Sequence, residues 1–140
     1  MYHSTALLVP DGRILTAGGG KRGGIGDNYN AEFFSPPYLF KSGPRPEINT
    51  WPSSLSYATP FLIDLGSPLD IDRVTMIRLG SVTHQFDMDQ RFLELTFEQL
   101  TTDTLRVTPP SSPYRAPRGD YMIFALKDGI PSVGKYVNIQ

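Results

Sequence analysis

Wherever this chain carries a clear pattern of apolar and polar positions, the period is two. The cleanest stretch is Phe92 to Gln99: Leu93, Leu95 and Phe97 fall on one face, Glu94, Thr96 and Glu98 on the other. Such alternation predicts a strand with one face buried. Leu105 to Thr108 continues it, with Leu105 and Val107 inward. Phe61 to Leu65, Arg73 to Leu79, the strongly apolar Tyr121 to Lys127 and Val133 to Ile139 complete a set of six. Evenly spaced short strands over about a hundred residues suggest an immunoglobulin-like β-sandwich. No segment sustains a helical period.

A smaller unit precedes them. Thr5 to Val9 and Ile14 to Ala17 read as a hairpin around Pro10-Asp11-Gly12-Arg13. Proline presets φ in that turn and glycine accepts a positive φ. Gly18-Gly19-Gly20 ends the second strand, a polar loop runs from Lys21 to Asn30, and Ala31 to Phe34 is a third strand closed by Ser35-Pro36-Pro37. Hairpin, glycine run, loop and strand form the pattern of a propeller blade. One such meander is too small to be stable alone. The Pro-, Ser- and Gly-rich stretch from Lys41 to Ser56 marks a boundary, giving two units, 1–40 and 41–140.

Composition narrows the function more than the fold. Thirteen Lys and Arg against fourteen Asp and Glu give a net charge of −1. That leaves no electrostatic footprint for nucleic acid or an anionic membrane. Thirteen glycines and thirteen prolines reinforce the reading of many short strands. Cysteine is absent, which excludes disulfides, thiolate metal sites and a cysteine nucleophile within these residues. The run Ala6-Leu7-Leu8-Val9 is too short for a signal-peptide core and has no basic region before it. No apolar run approaches the length of a membrane span.

The candidate chemistry rests on two histidines, His3 and His84. Imidazole is the commonest protein ligand for zinc-like and copper-like metals. More than half the chain separates the two, so only the fold can bring them together. Tyr2, beside His3, is a possible third corner. On a regular strand neighbouring side chains point to opposite faces, so Tyr2 and His3 share a metal only where the strand begins or is twisted. His84 lies in a loop between two strands, where a lone histidine by itself reads as part of a solvated turn sooner than as a ligand. Asp87 and Asp89 nearby are too few oxygens for a calcium loop. The Gly18 to Gly24 run carries Lys21 but no Ser or Thr after it and no helix, so it is not a phosphate loop. Arg78, Arg91 and Arg118 show no spacing that implies chemistry. Trp51 reads as a packing plug.

Several motifs, in order, resemble one family. Tyr2-His3-Ser4-Thr5-Ala6-Leu7-Leu8 with Pro10-Asp11-Gly12-Arg13 and the Gly18-Gly19-Gly20 run is similar to the last propeller blade of the galactose oxidase and glyoxal oxidase relatives. Ala31-Glu32-Phe33-Phe34-Ser35-Pro36-Pro37-Tyr38-Leu39 resembles the exit from that blade, and Arg45-Pro46 the start of the next domain. Gly80-Ser81-Val82-Thr83-His84 with Asp89-Gln90-Arg91 resembles a copper-ligand loop. Gly119-Asp120-Tyr121-Met122-Ile123-Phe124 with Gly129-Ile130-Pro131-Ser132 resembles the last hairpin of the C-terminal domain.

The resemblance implies an all-β chain: the end of a kelch-type propeller, then an immunoglobulin-like early-set sandwich. It implies a mononuclear copper-radical oxidase that uses O2 on an alcohol or aldehyde and releases H2O2. His3 and His84 are then the two imidazole ligands, and Tyr2 is both the axial ligand and the proton acceptor from substrate. Mixed N and O ligands in tetragonal geometry suit Cu(II). The radical tyrosine and its cysteine partner belong to earlier blades of the family, as do the substrate contacts. The implied partners are therefore an upstream propeller of the same polypeptide and a small alcohol, aldehyde or carbohydrate. The implied location is secreted or extracytoplasmic, and the isolated chain is expected to be inactive. The competing reading is a non-catalytic immunoglobulin-like module that binds carbohydrate or a partner domain.

Overall fold

A computed structural model describes residues 3–20, 26–84 and 86–140. The N-terminal unit is a three-stranded antiparallel sheet of β1 (Ser4–Leu8), β2 (Ile14–Gly18) and β3 (Ala31–Phe34), in that spatial order. Its first turn forms as the residue types require. Gly12 takes φ +91°, and the Asp11 carboxylate accepts hydrogen bonds from the Arg13 backbone N–H at 2.9 Å and from Arg13 Nε at 2.7 Å. The same arginine holds the Asp11 carboxyl below the usual carboxylate range. Residues 21–25, within the expected polar loop, lie outside the described residues.

The chain then makes one 3₁₀ turn, Pro37–Phe40, and enters the larger unit. Its long strands are β6 (Phe61–Leu65), β7 (Arg73–Arg78), β10 (Phe92–Gln99), β11 (Thr104–Thr108), β12 (Gly119–Lys127) and β14 (Lys135–Ile139). These are the six predicted strands, with ends shifted by two residues or fewer. Shorter strands accompany them: β4 (Ile48–Thr50) and β5 (Ser54–Leu55) before β6, then β8 (Val82–Thr83), β9 (Phe86–Asp87) and β13 (Ile130–Pro131). β4 and β5 lie inside the stretch expected to be linker. Two or three residues are too few to display a period, so proline and serine dominated the reading there.

The strands follow the order β4-β6-β11-β10-β7-β12-β14-β5, with β13 on β12. β10 joins the two halves. Phe92 to Leu95 pair with β7, and Thr96 to Gln99 pair with β11. One strand therefore serves both layers, and the sheet folds over to bury a single core between them. Ile63, Leu65, Leu105 and Val107 come from one layer, and Val74, Met76, Tyr121, Ile123, Ala125, Val137 and Ile139 from the other. β10 keeps the predicted alternation, with Leu95 buried and Glu94 and Glu98 exposed. The buried Tyr121 hydroxyl donates to the Pro117 carbonyl at 2.7 Å, closing a corner of the kind common in immunoglobulin-like sandwiches. Trp51 packs against the core, and its Nε1 donates to the Tyr136 carbonyl at 3.0 Å.

β12 explains its unbroken apolar run by being buried on both faces. Tyr121, Ile123 and Ala125 face the core, whereas Met122 and Phe124 stand outside that cluster yet are 2% and 3% exposed. They line crevices shared with Leu8, Gly12 and Tyr38 of the N-terminal unit and its exit. The small sheet thus lies against the outer face of the sandwich. Arg45 bridges the two: Nε donates to the Pro131 carbonyl at 2.9 Å, and an Nη to the Asp11 carbonyl at 2.6 Å and the Ser132 carbonyl at 3.4 Å. The Gly134 N–H donates to the Pro10 carbonyl at 2.7 Å, and the Tyr38 hydroxyl to the Gly12 carbonyl at 2.6 Å.

Candidate metal centre

The packing of the small sheet on the sandwich brings His3 and His84 together. Their ring centroids are 4.7 Å apart, with the planes tilted by 40°. His3 directly precedes β1, so it lies where the strand begins, as a shared site with Tyr2 requires. Tyr2 itself is outside the described residues. His84 sits at the tip of the β8-β9 hairpin, where Thr83 pairs with Phe86 and the connection is residues 84 and 85. The loop expected around His84 thus contains two short strands, with His84 in the turn that follows the first.

Both histidines hold left-handed backbone, His3 at φ +58° and His84 at φ +56°. Only Ala58 and Asp128 share that region among the described non-glycine residues. The left-handed conformation costs an L-residue about 1–2 kcal/mol. Primed hairpin turns demand a positive φ at a central position, which glycine or asparagine fills most easily. At position 84 the chain carries histidine instead. His84→Gly should therefore stabilise the metal-free chain by about 1 kcal/mol while removing the imidazole. A denaturant midpoint below that of the unaltered chain would contradict this.

The surroundings favour a ligand role. Thr83 Oγ1 lies 2.8 Å from Nδ1 of His84. Metal-binding imidazoles commonly engage the second ring nitrogen in this way, which fixes ring orientation. His3, Thr5, Leu7, Gly80, Thr83 and His84 line one cleft. Thr5 Oγ1 is buried there with no hydrogen-bond partner among the described residues. An orphaned hydroxyl beside paired imidazoles is what a site completed by a further group would show. Among the described residues no three His, Cys, Asp or Glu side chains cluster. Two imidazoles therefore need a ligand of another type, and the phenol of Tyr2 is adjacent in sequence. The residues fit a copper-like ion bound by nitrogen and oxygen.

Asp87 and Asp89, weighed above as cation ligands, serve the hairpin instead. Asp87 Oδ1 accepts from the backbone N–H of Ser81 and of Asp89, both at 3.0 Å. Asp89 pairs with Arg78 Nε at 3.4 Å. The spacing of Arg78 gave no sign of this role, since its partner is fixed only by tertiary structure.

Known proteins share this sequence and fold. The sequence profile of the galactose oxidase-like early set domain matches residues 45–139. A galactose oxidase of Gibberella zeae is 33% identical over 145 residues, covering 99% of this chain and 21% of that protein. An aldehyde oxidase of Vitis pseudoreticulata is 34% identical over 157 residues, covering 99% of this chain and 30% of that protein. The chain thus spans under a third of these relatives. Among solved structures, a fungal alcohol oxidase in complex with copper superposes with a TM-score of 0.89 at 30% identity, covering 99% of this chain and 31% of that one. The all-β sandwich, its superposition on the copper oxidase and the profile over residues 45–139 agree: the chain belongs to the galactose oxidase-like early set domain family.

Proposed function

We propose that this chain is the C-terminal part of a mononuclear copper-radical oxidase and supplies three of its metal ligands, Tyr2, His3 and His84. The observation that carries the reading is the imidazole pair at 4.7 Å, one ring from each of two sheets. The overall reaction converts an alcohol to an aldehyde, or a hydrated aldehyde to an acid. Two electrons and two protons pass from substrate to O2, giving H2O2. In this reading residues 1–40 are the end of a kelch-type blade and residues 41–140 the early-set domain.

Each residue has a distinct task. Thr83 holds Nδ1 of His84, leaving Nε2 as the nitrogen we assign to the metal. His3 provides the second imidazole from the head of β1. Tyr2 takes the hydroxyl proton of the substrate. Copper bound there would supply one-electron redox chemistry, and the second electron would come from the radical tyrosine–cysteine pair that the family carries in earlier blades. These residues contain no cysteine, so the chain alone does not turn over. The protein acts outside the cytoplasm in this reading, on a small alcohol, aldehyde or carbohydrate. The competing carbohydrate-binding role finds little support in the single tryptophan, Trp51. Lys135 Nζ lies 4.5 Å above the Trp51 ring, and Trp51 Nε1 is engaged by Tyr136.

Peroxide release with galactose, primary alcohols and aldehydes tests the proposal. The isolated chain with copper should give none, and the same chain joined to a propeller bearing the tyrosine–cysteine pair should turn over. Turnover by the isolated chain, or a joined protein that binds copper at this site and stays dead, would contradict it.

A further inference from the structure

The base of the hairpin carrying His84 meets β1 where Gly80 faces Leu7. Gly80 lies at the base of the hairpin. A Cβ there would fall 2.8 Å from Asp87 Oδ2 and 2.9 Å from Leu7 Cδ2 of β1. Real Cβ atoms do not approach so closely, so even a methyl group must displace the end of the Leu7 side chain or the Asp87 carboxylate. Asp87 closes the same base from the other side. Its Oδ1 accepts two backbone N–H groups, while the Met88 N–H donates to the Ser81 carbonyl at 3.0 Å. A two-residue strand on each side of the turn cannot hold such a hairpin by ladder bonds alone.

We infer that Gly80 and Asp87 are positioning residues, which hold the His84 hairpin against β1 so that the two imidazoles meet. The inference rests on the copper reading only for its consequence; the placement of the rings is a property of the metal-free chain. Asp87 acts here as a hydrogen-bond acceptor, not as a charge. One oxygen receives both N–H groups, and the amide oxygen of asparagine can do the same.

The test separates this inference from the copper proposal. Cross-relaxation between the ring protons of His3 and His84 is measured by NMR in the metal-free chain, alongside copper titration. Asp87→Ala and Gly80→Ala should each lose the ring-to-ring signal while the amide spectrum of β12 and β14 stays dispersed. Asp87→Asn should keep it. Copper affinity should fall about 10- to 100-fold in the first two variants and stay near the unaltered value in Asp87→Asn. If the ring signal follows this pattern but copper binds nowhere near it, positioning stands and the copper reading fails. An Asp87→Ala chain that keeps the ring signal overturns the inference, and so does an Asp87→Asn chain that loses it. A variant that loses dispersion throughout shows a residue required by the whole fold and overturns its local role; Gly80→Ala and Asp87→Ala are read independently for this reason.

Discussion

Replacing either His3 or His84 with alanine should weaken copper binding at this site by at least about 100-fold. Loss of a residue that merely supports a metal ligand typically costs 10- to 100-fold, and these two would be ligands themselves. The arrangement makes the loss hard to compensate. Among the described residues no cluster of three His, Cys, Asp or Glu side chains stands elsewhere, and the nearby Asp87 and Asp89 are committed to the hairpin and to Arg78. The two losses should also be far from additive, since one imidazole alone is a poor site. Titration of both single variants and the double variant checks this. Binding that survives in all three would mean the metal sits elsewhere.

The second large effect should come from a residue far from the rings. Arg45→Ala should free the N-terminal sheet from the sandwich. One guanidinium donates to carbonyls of Asp11, Pro131 and Ser132, so it ties the first turn to the end of β13 and the residue after it. Hydrogen bonds from charged donors are worth about 1.5–3 kcal/mol each, and their shared donor makes the sum smaller than three such terms. A loss of about 3 kcal/mol in the docking of the small sheet follows. Hydrogen exchange should show it selectively. Amides of β1 and β2 should exchange faster, while those of β12 and β14, paired inside the sandwich, keep their protection. Arg45→Lys should not restore docking, because a single ammonium lacks the planar fork that reaches separate carbonyls. Copper affinity should fall with docking, since His3 heads β1. Uniform exchange across both units would instead show that Arg45 supports the whole fold.

The sequence revealed the sandwich and concealed the site. Phe92 to Gln99 announced itself because one face is buried and the other solvated, so burial is written as alternation. Tyr121 to Ala125 announced a strand but not its second buried face: Met122 and Phe124 are covered by the small sheet, and a run of apolar residues does not say what covers it. Ile48–Thr50 and Ser54–Leu55 were invisible because their ladders are too short for a period. His3 and His84 were conspicuous as residue types, but their proximity depends on the base of the hairpin meeting β1 at Gly80 and Leu7, a relation carried by no local motif. Only resemblance paired them. Gly80, Asp87, Thr83 and Arg45 act through tertiary contacts and left no local mark, apart from the glycine, whose missing side chain has meaning only once Leu7 is beside it.

Pulsed EPR of the Cu(II)-loaded chain tests the central claim most directly, by counting coordinated imidazoles. Two histidines from two sheets should give the modulation pattern of two imidazole nitrogens, reduced to one in either His3→Ala or His84→Ala. Tyr2→Phe should leave the count at two. A count of one in the unaltered chain, or a count of two that survives either histidine substitution, would contradict a copper site shared by these residues.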